Sequence, residues 1–120
     1  MNRLITKMRD YWLYISLSIL AVIITLSLYP VSQLPDVPGT DKLHHFIAYG
    51  ALMFPVALRK PKYWRWIALL FILASGTIEL IQPYVNRYGE WLDLAANCLG
   101  LLCGFILAQL IAYLSVKREK

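Results

Sequence analysis

Histidine or carboxylate side chains lie at one edge of each of three long apolar stretches in this chain. His44 and His45 come first, Glu79 follows, and Asp93 is third. An imidazole beside a carboxylate can move a proton, and the same groups can bind a cation or a charged headgroup. Ionisable groups at the edge of an apolar layer are costly unless compensated, so we expect these residues to be either paired or functional.

Other polar residues adjoin these three places and complete a candidate binding site. Glu79 and Gln82 are three residues apart, and Asp93 and Asn97 are four apart, so each pair shares one helical face. Arg87 suits a phosphate or carboxylate, because its planar fork can bind an oxyanion twice. The full set is Asp41, Lys42, His44, His45, Tyr49, Glu79, Gln82, Arg87, Asp93 and Asn97.

Glu79 is the most informative of these residues, because it lies near the carboxyl end of a predicted helix, where the dipole disfavours an anion. It needs compensation from Lys42, Arg87 or a protonated histidine, unless its own carboxyl group is protonated. One interpretation is an internal network that ties three helix ends together. The other is an outward-facing pocket that holds the headgroup of an amphiphile.

Catalytic and metal-binding alternatives use the same side chains. An enzyme acting on lipid headgroups would use His44 or His45 as general base, but no clear nucleophile accompanies them, because Ser75 lies deeper on its helix. A metal site would draw on both histidines with Glu79 and Asp93. Adjacent histidines point about 100° apart on a helix, so both do not bind one ion. The sequence therefore predicts no metal and no cofactor, and leaves catalysis as an alternative.

The elements that position these residues follow from composition. Apolar residues make up 59% of the 120 residues, well above the share in a soluble domain. They gather in stretches near the roughly 20 residues that a helix needs to cross a bilayer. The predicted helices are residues 11–29, 43–58, 64–81 and 94–114. Short connections make consecutive helices antiparallel, so we expect one domain, 1–120, folded as an all-α, up-and-down bundle of four transmembrane helices.

Charge then predicts the orientation of these helices. If all four cross, the side that holds both termini has ten cations and two anions, and the other side has two cations and five anions. Lysine and arginine accumulate on cytoplasmic segments, so both termini should be cytoplasmic and the candidate site should face outward. The net charge of +5 lies in short runs beside apolar stretches. This pattern favours contact with anionic lipid headgroups and gives no basic domain for nucleic acid.

Small residues recur every four positions in the last predicted helix. They form one stripe along which a neighbouring backbone can approach closely. The stripe predicts a helix-packing interface, either within the chain or between copies in a homo-oligomer. Its members are Ala96, Gly100, Gly104 and Ala108.

The order and spacing of these residues resemble the VanZ family of small bacterial membrane proteins. The resemblance runs from about residue 41 to residue 104. It rests on Asp41-Lys42-Leu43-His44-His45-Phe46 with Tyr49, Glu79-Leu80-Ile81-Gln82, Arg87, and Asp93 with Asn97, Gly100 and Gly104. Carried over by position, the family pattern falls on Asp41, Lys42, His45, Glu79, Gln82, Arg87, Asp93 and Asn97, with His44 as an adjacent second histidine.

The resemblance implies a multi-pass protein of the bacterial cytoplasmic membrane. The family's namesake is associated with resistance to teicoplanin, a glycopeptide that carries an acyl chain. We therefore expect a protein that binds or shields an amphiphile, such as a cell-envelope lipid or a lipoglycopeptide antibiotic, at its outer face. The expected partners are membrane lipids and a lipid-linked or acylated ligand. The alternatives are an enzyme acting on lipid headgroups and a structural or accessory membrane subunit.

Overall fold

The computed structural model describes residues 2–29, 41–85 and 91–119, and these are helical with no strand among them. The helices are α1 (Asn2–Asp10), α2 (Trp12–Leu28), α3 (Asp41–Arg59), α4 (Trp64–Ile81) and α5 (Trp91–Glu119). A 3-10 turn at Gln82–Val85 follows α4 directly. The helix α4 spans the residues predicted for it, whereas α5 extends beyond its predicted 94–114 at both ends. Polar terminal turns outside an apolar layer can keep their helical hydrogen bonds in water. The apolar stretch is therefore shorter than the helix itself.

The short helix α1 was not predicted from the sequence. Its nine residues are too few and too polar to register as an apolar stretch, and its last turn carries Lys7 and Arg9. It meets α2 at a 74° bend. Its apolar side packs inward through buried Ile5, and Arg9 Nε donates to the Leu58 carbonyl oxygen at 3.1 Å. That bond places a cation at the carboxyl end of α3, where the helix dipole favours it.

The helix α3 lies at the centre of the fold. Leu52, Val56 and Ala57 are fully buried, and α1, α2 and α5 all pack against it. The helix continues through Pro55, which is also buried. Ser16 of α2 donates to the Leu52 carbonyl oxygen at 3.4 Å, close to the interruption that proline makes in the backbone hydrogen bonds. Burial is concentrated in the second half of α3, because its first two turns, which carry the polar residues, are exposed or only partly buried.

The helices α3 and α5 run parallel and approach closely at two glycines. A Cβ on Gly100 would overlap the Phe46 carbonyl oxygen, and a Cβ on Gly104 would overlap that of Gly50. Further along the same contact, Ala108 is fully buried. The part of the small-residue stripe at Gly100 and Gly104 therefore lies against α3 of the same chain.

The helix α4 runs antiparallel to α5. Trp64 stacks on Phe105 with ring centroids 4.6 Å apart, and Ser75 bonds Asn97, so residue numbers rise along one helix as they fall along the other. As a result, the carboxyl end of α4 meets the amino ends of α3 and α5. This arrangement brings the three polar places of the sequence to one end of the fold.

Two of the described helical segments, Trp64–Tyr84 and Trp91–Lys117, are long and apolar enough to cross a membrane. The bent pair α1 and α2 adds a third if the two count as one span. The sequence predicted four spans, and the second of them, α3, is outside this set. Its first two turns carry Asp41, Lys42, His44 and His45, which lower its apolar content.

Large apolar side chains cover the outside of the helices around α3. Leu17 on α2, Leu70 on α4 and Leu102 on α5 are each more than half exposed. An apolar surface this extensive is unusual for a protein in water and is typical of one surrounded by lipid.

Candidate functional site

Three helix ends supply the polar side chains of the site. Lys42 and His45 lie in the first two turns of α3, and Asp93 and Asn97 lie in the first two turns of α5. Glu79 lies in the last turn of α4. We call these five residues the polar cluster. Because two helix amino ends meet at this place, their partial positive charge favours the carboxylates there, including the one at the carboxyl end of α4.

The partly buried His45 and the buried Glu79 and Asp93 form the inner part of the polar cluster. One side-chain ligand atom from each residue lies within 4.8 Å of the corresponding atoms of the other two. The carboxylates are almost closed to solvent, with Glu79 7% and Asp93 2% exposed. Two carboxylates this close repel each other unless a proton or a cation is held with them. A metal site with both histidines was not expected from the sequence, and the structure brings together a different set, which uses only His45.

A chain of hydrogen bonds fixes the orientation of the His45 ring. Asn97 Nδ2 donates to Ser75 Oγ at 2.6 Å, which leaves Asn97 Oδ1 to accept from His45 Nδ1 at 3.0 Å. With its proton on Nδ1, the neutral imidazole presents the Nε2 lone pair towards Asp93. The Nε2 to Asp93 Oδ2 distance is 3.9 Å, too long for a hydrogen bond.

Lys42 forms the exposed edge of the polar cluster. Its Nζ atom is 3.8 Å from Asp93 Oδ1, and its side chain is 46% exposed. The carboxylate of Asp93 therefore has Lys42 beside one oxygen and His45 beside the other. A cation between the buried acids and the surrounding medium is placed to meet an anionic group that approaches from outside.

Gln82 connects this end of the fold to α2. Its Nε2 donates to the Ser27 carbonyl oxygen at 3.1 Å, in the last turn of α2. Gln82 is buried, and its Oε1 accepts no hydrogen bond from the described residues. The amide thus holds two helix ends together and leaves one buried acceptor near them.

Four other residues were predicted for the site and are not part of the polar cluster as defined above. Tyr49 is buried one turn beyond His45 on α3 and hydrogen-bonds the side chain of Ser75. His44 is partly buried on a neighbouring face of α3 and is not one of the three converging ligands. The side chain of Asp41 and the whole of Arg87 lie outside the described residues.

Ser75 is the residue whose role the sequence argument missed. It was set aside as too deep on α4, yet it bonds Asn97 and so orients His45 through the amide. The available signal was its position four residues before Glu79, which places both on one helical face. Ser75 is buried and bonded to Asn97, so it is not presented as a nucleophile.

Residues 3–112 match the model of the family described as VanZ/LLP1. The match covers most of the chain and includes every residue of the polar cluster. It confirms the resemblance drawn from the sequence motifs. Neither a curated protein nor a solved structure matches the chain.

Proposed function

The chain belongs to the VanZ/LLP1 family, and we propose that it is a multi-pass membrane protein that binds the polar headgroup of an amphiphile at the polar cluster. The proposed ligand is a cell-envelope lipid or an acylated antibiotic such as teicoplanin. The observation that carries the proposal is a buried acidic and imidazole cluster, edged by one lysine, next to exposed apolar side chains. The headgroup and the acyl chain of one molecule therefore have adjacent surfaces of matching chemistry.

The apolar surface beside the polar cluster comes from the same helix ends. Leu43 and Ile47 are exposed on α3 around His45, Leu80 is exposed beside Glu79, and Leu92 is exposed beside Asp93. An acyl chain along these residues removes apolar surface from contact with headgroups and water, at roughly 25 cal/mol per Å² buried. The adjoining Lys42 supplies the charge for a phosphate or carboxylate.

The proposed orientation places the polar cluster on the outer side of the bacterial cytoplasmic membrane. All four long helices cross, and α3 crosses with its second half buried against the others. The basic residues at the opposite end, in α1 and in the connection from Arg59 to Arg65, then lie on the cytoplasmic side, as the distribution of lysine and arginine favours. An outward site meets lipid-linked precursors and antibiotics before they reach the cytoplasm.

The direct test is mass spectrometry of lipids that remain bound to the gently purified full chain. We expect the parent protein to retain one headgroup class, and Lys42→Gln to lose at least about tenfold of it, the equivalent of 1.4 kcal/mol in affinity. Lys62→Gln is the matched control, since it removes an exposed lysine at the opposite end of the fold. Equal lipid content in both variants and the parent would refute the proposal.

A catalytic version is the second candidate, and one observation favours it. Asn97 Oδ1 accepts from His45 Nδ1 and so fixes the ring with Nε2 as its proton-accepting nitrogen, which is the tautomer that a general base needs. An enzyme would convert a labelled phospholipid or lipid-linked sugar into a released headgroup, and His45→Ala would stop release while binding remained. If cluster variants change neither binding nor release and only lower stability, the cluster is a scaffold.

A further inference from the structure

We propose that His45, Glu79 and Asp93 bind one divalent transition-metal ion, with Zn²⁺ as the best-fitting ion. Metal binding at these residues does not require an amphiphile. The first reason for it is the close approach of three side chains. Three residues of metal-ligating type, each from a different helix, place one ligand atom within 4.8 Å of the other two.

The distance between His45 Nε2 and Asp93 Oδ2 is close to the distance between two ligands of one ion. Two ligands on Zn²⁺, each about 2.1 Å from the metal, are about 3.4 Å apart in tetrahedral geometry. His45 Nε2 and Asp93 Oδ2 are 3.9 Å apart, so a contraction of about 0.5 Å would bring them to that spacing. Side-chain rotation alone can supply a movement of this size. The Nε2 to Oδ2 distance is thus longer than a hydrogen bond and within a small side-chain movement of the spacing of two ligands on one ion.

The surrounding residues support metal binding as outer partners do in known sites. A ligating histidine usually donates its other ring nitrogen to an oxygen acceptor, which fixes its tautomer and orientation. Here His45 Nδ1 faces Asn97 Oδ1 at 3.0 Å, and Asn97 is held by Ser75. The imidazole is thus oriented with Nε2 towards the two carboxylates before any ion arrives.

Charge balance gives a further reason. Glu79 and Asp93 bring two formal negative charges into a region that is almost closed to solvent. A divalent ion neutralises both, and Lys42 Nζ stays 3.8 Å from Asp93 Oδ1. Two carboxylates with one imidazole favour Zn²⁺ or Mn²⁺ over Ca²⁺ and Mg²⁺, which prefer oxygen ligands only. Three protein ligands leave a fourth position open, as in zinc sites where a water or substrate binds.

The experiment uses the tag-free full chain in detergent micelles, stripped of metal with a chelator and then dialysed against Zn²⁺ or Mn²⁺ alone. Elemental analysis should find one ion per chain, and calorimetry should give its affinity. His45→Gln and Asp93→Asn should each weaken binding by about 100-fold or more, because loss of a ligand exceeds the 10–100-fold typical of an outer partner. Ser75→Ala, which acts through Asn97, should weaken binding by about 10–100-fold.

His44→Gln is the matched control, since it removes the adjacent histidine and leaves the three ligands in place. It should bind Zn²⁺ as the parent does. Circular dichroism of each metal-free variant establishes that helix content is kept, and the parent's own stoichiometry stands even if a variant misfolds. Absence of a stoichiometric ion in the folded parent would overturn the proposal, as would equal losses in His44→Gln and His45→Gln.

Discussion

The close contact of Gly104 on α5 with Gly50 on α3 gives the sharpest prediction. A Cβ on Gly104 would lie 3.0 Å from both the Cα and the carbonyl carbon of Gly50 and would overlap its carbonyl oxygen. All three atoms are backbone, so no side chain can rotate away, and α3 and α5 must separate. By contrast, a Cβ on Gly76 of α4 would have no atom within 4 Å. Gly104→Ala and Gly76→Ala therefore differ in packing alone.

The expected difference in unfolding free energy between the two variants follows from their packing. Both substitutions gain roughly 0.5–1 kcal/mol of helix propensity, since alanine replaces a helical glycine. Overpacking in a close contact typically costs about 1–3 kcal/mol, and a rigid backbone neighbour puts Gly104 at the upper end. We expect Gly104→Ala to be about 2–3 kcal/mol less stable than Gly76→Ala.

The assay is unfolding of the purified chain by sodium dodecyl sulfate in mixed micelles, followed by tryptophan fluorescence and far-ultraviolet circular dichroism. The two variants are compared at one protein concentration, and chromatography reports their oligomeric state. Equal stability of Gly104→Ala and Gly76→Ala would refute the packing argument. A loss of oligomers in Gly104→Ala with unchanged unfolding would instead assign the stripe to contacts between copies.

Two further predictions follow from the polar groups. Ser75→Ala should cost about 1–3 kcal/mol in the same unfolding assay, because the buried amide of Asn97 loses its acceptor. Thr77→Val should be nearly neutral, because the hydroxyl is exposed and bonds only its own helix, and equal losses in the two would contradict the network. For orientation, a cysteine at Lys42 should react with an impermeant maleimide in intact cells, and one at Lys62 only after lysis. The reverse pattern would exclude an outward site.

Composition predicts where α3 lies in the sequence, but it does not predict which helices surround it. The apolar stretches gave the places of the long helices, because burial of apolar surface in lipid depends on residue type alone. The sequence placed α3 as the second long helix, but only the structure showed that its second half is enclosed by α1, α2 and α5. Enclosure depends on neighbours that are distant in the chain, so no local window of sequence contains it.

The polar cluster also has features that the sequence predicted and features that only the structure decided. Residue types and helical spacing were enough to select His45, Glu79, Asp93 and Asn97 as polar groups at helix ends, since an ionisable side chain beside an apolar stretch is costly wherever it folds. Only the tertiary structure decided that His45 rather than His44 meets both acids, and that Ser75 orients it. The spacing of small residues marked the packing face of α5 in the sequence, but only the structure showed that this face meets α3 of the same chain, because the contact joins residues some fifty positions apart.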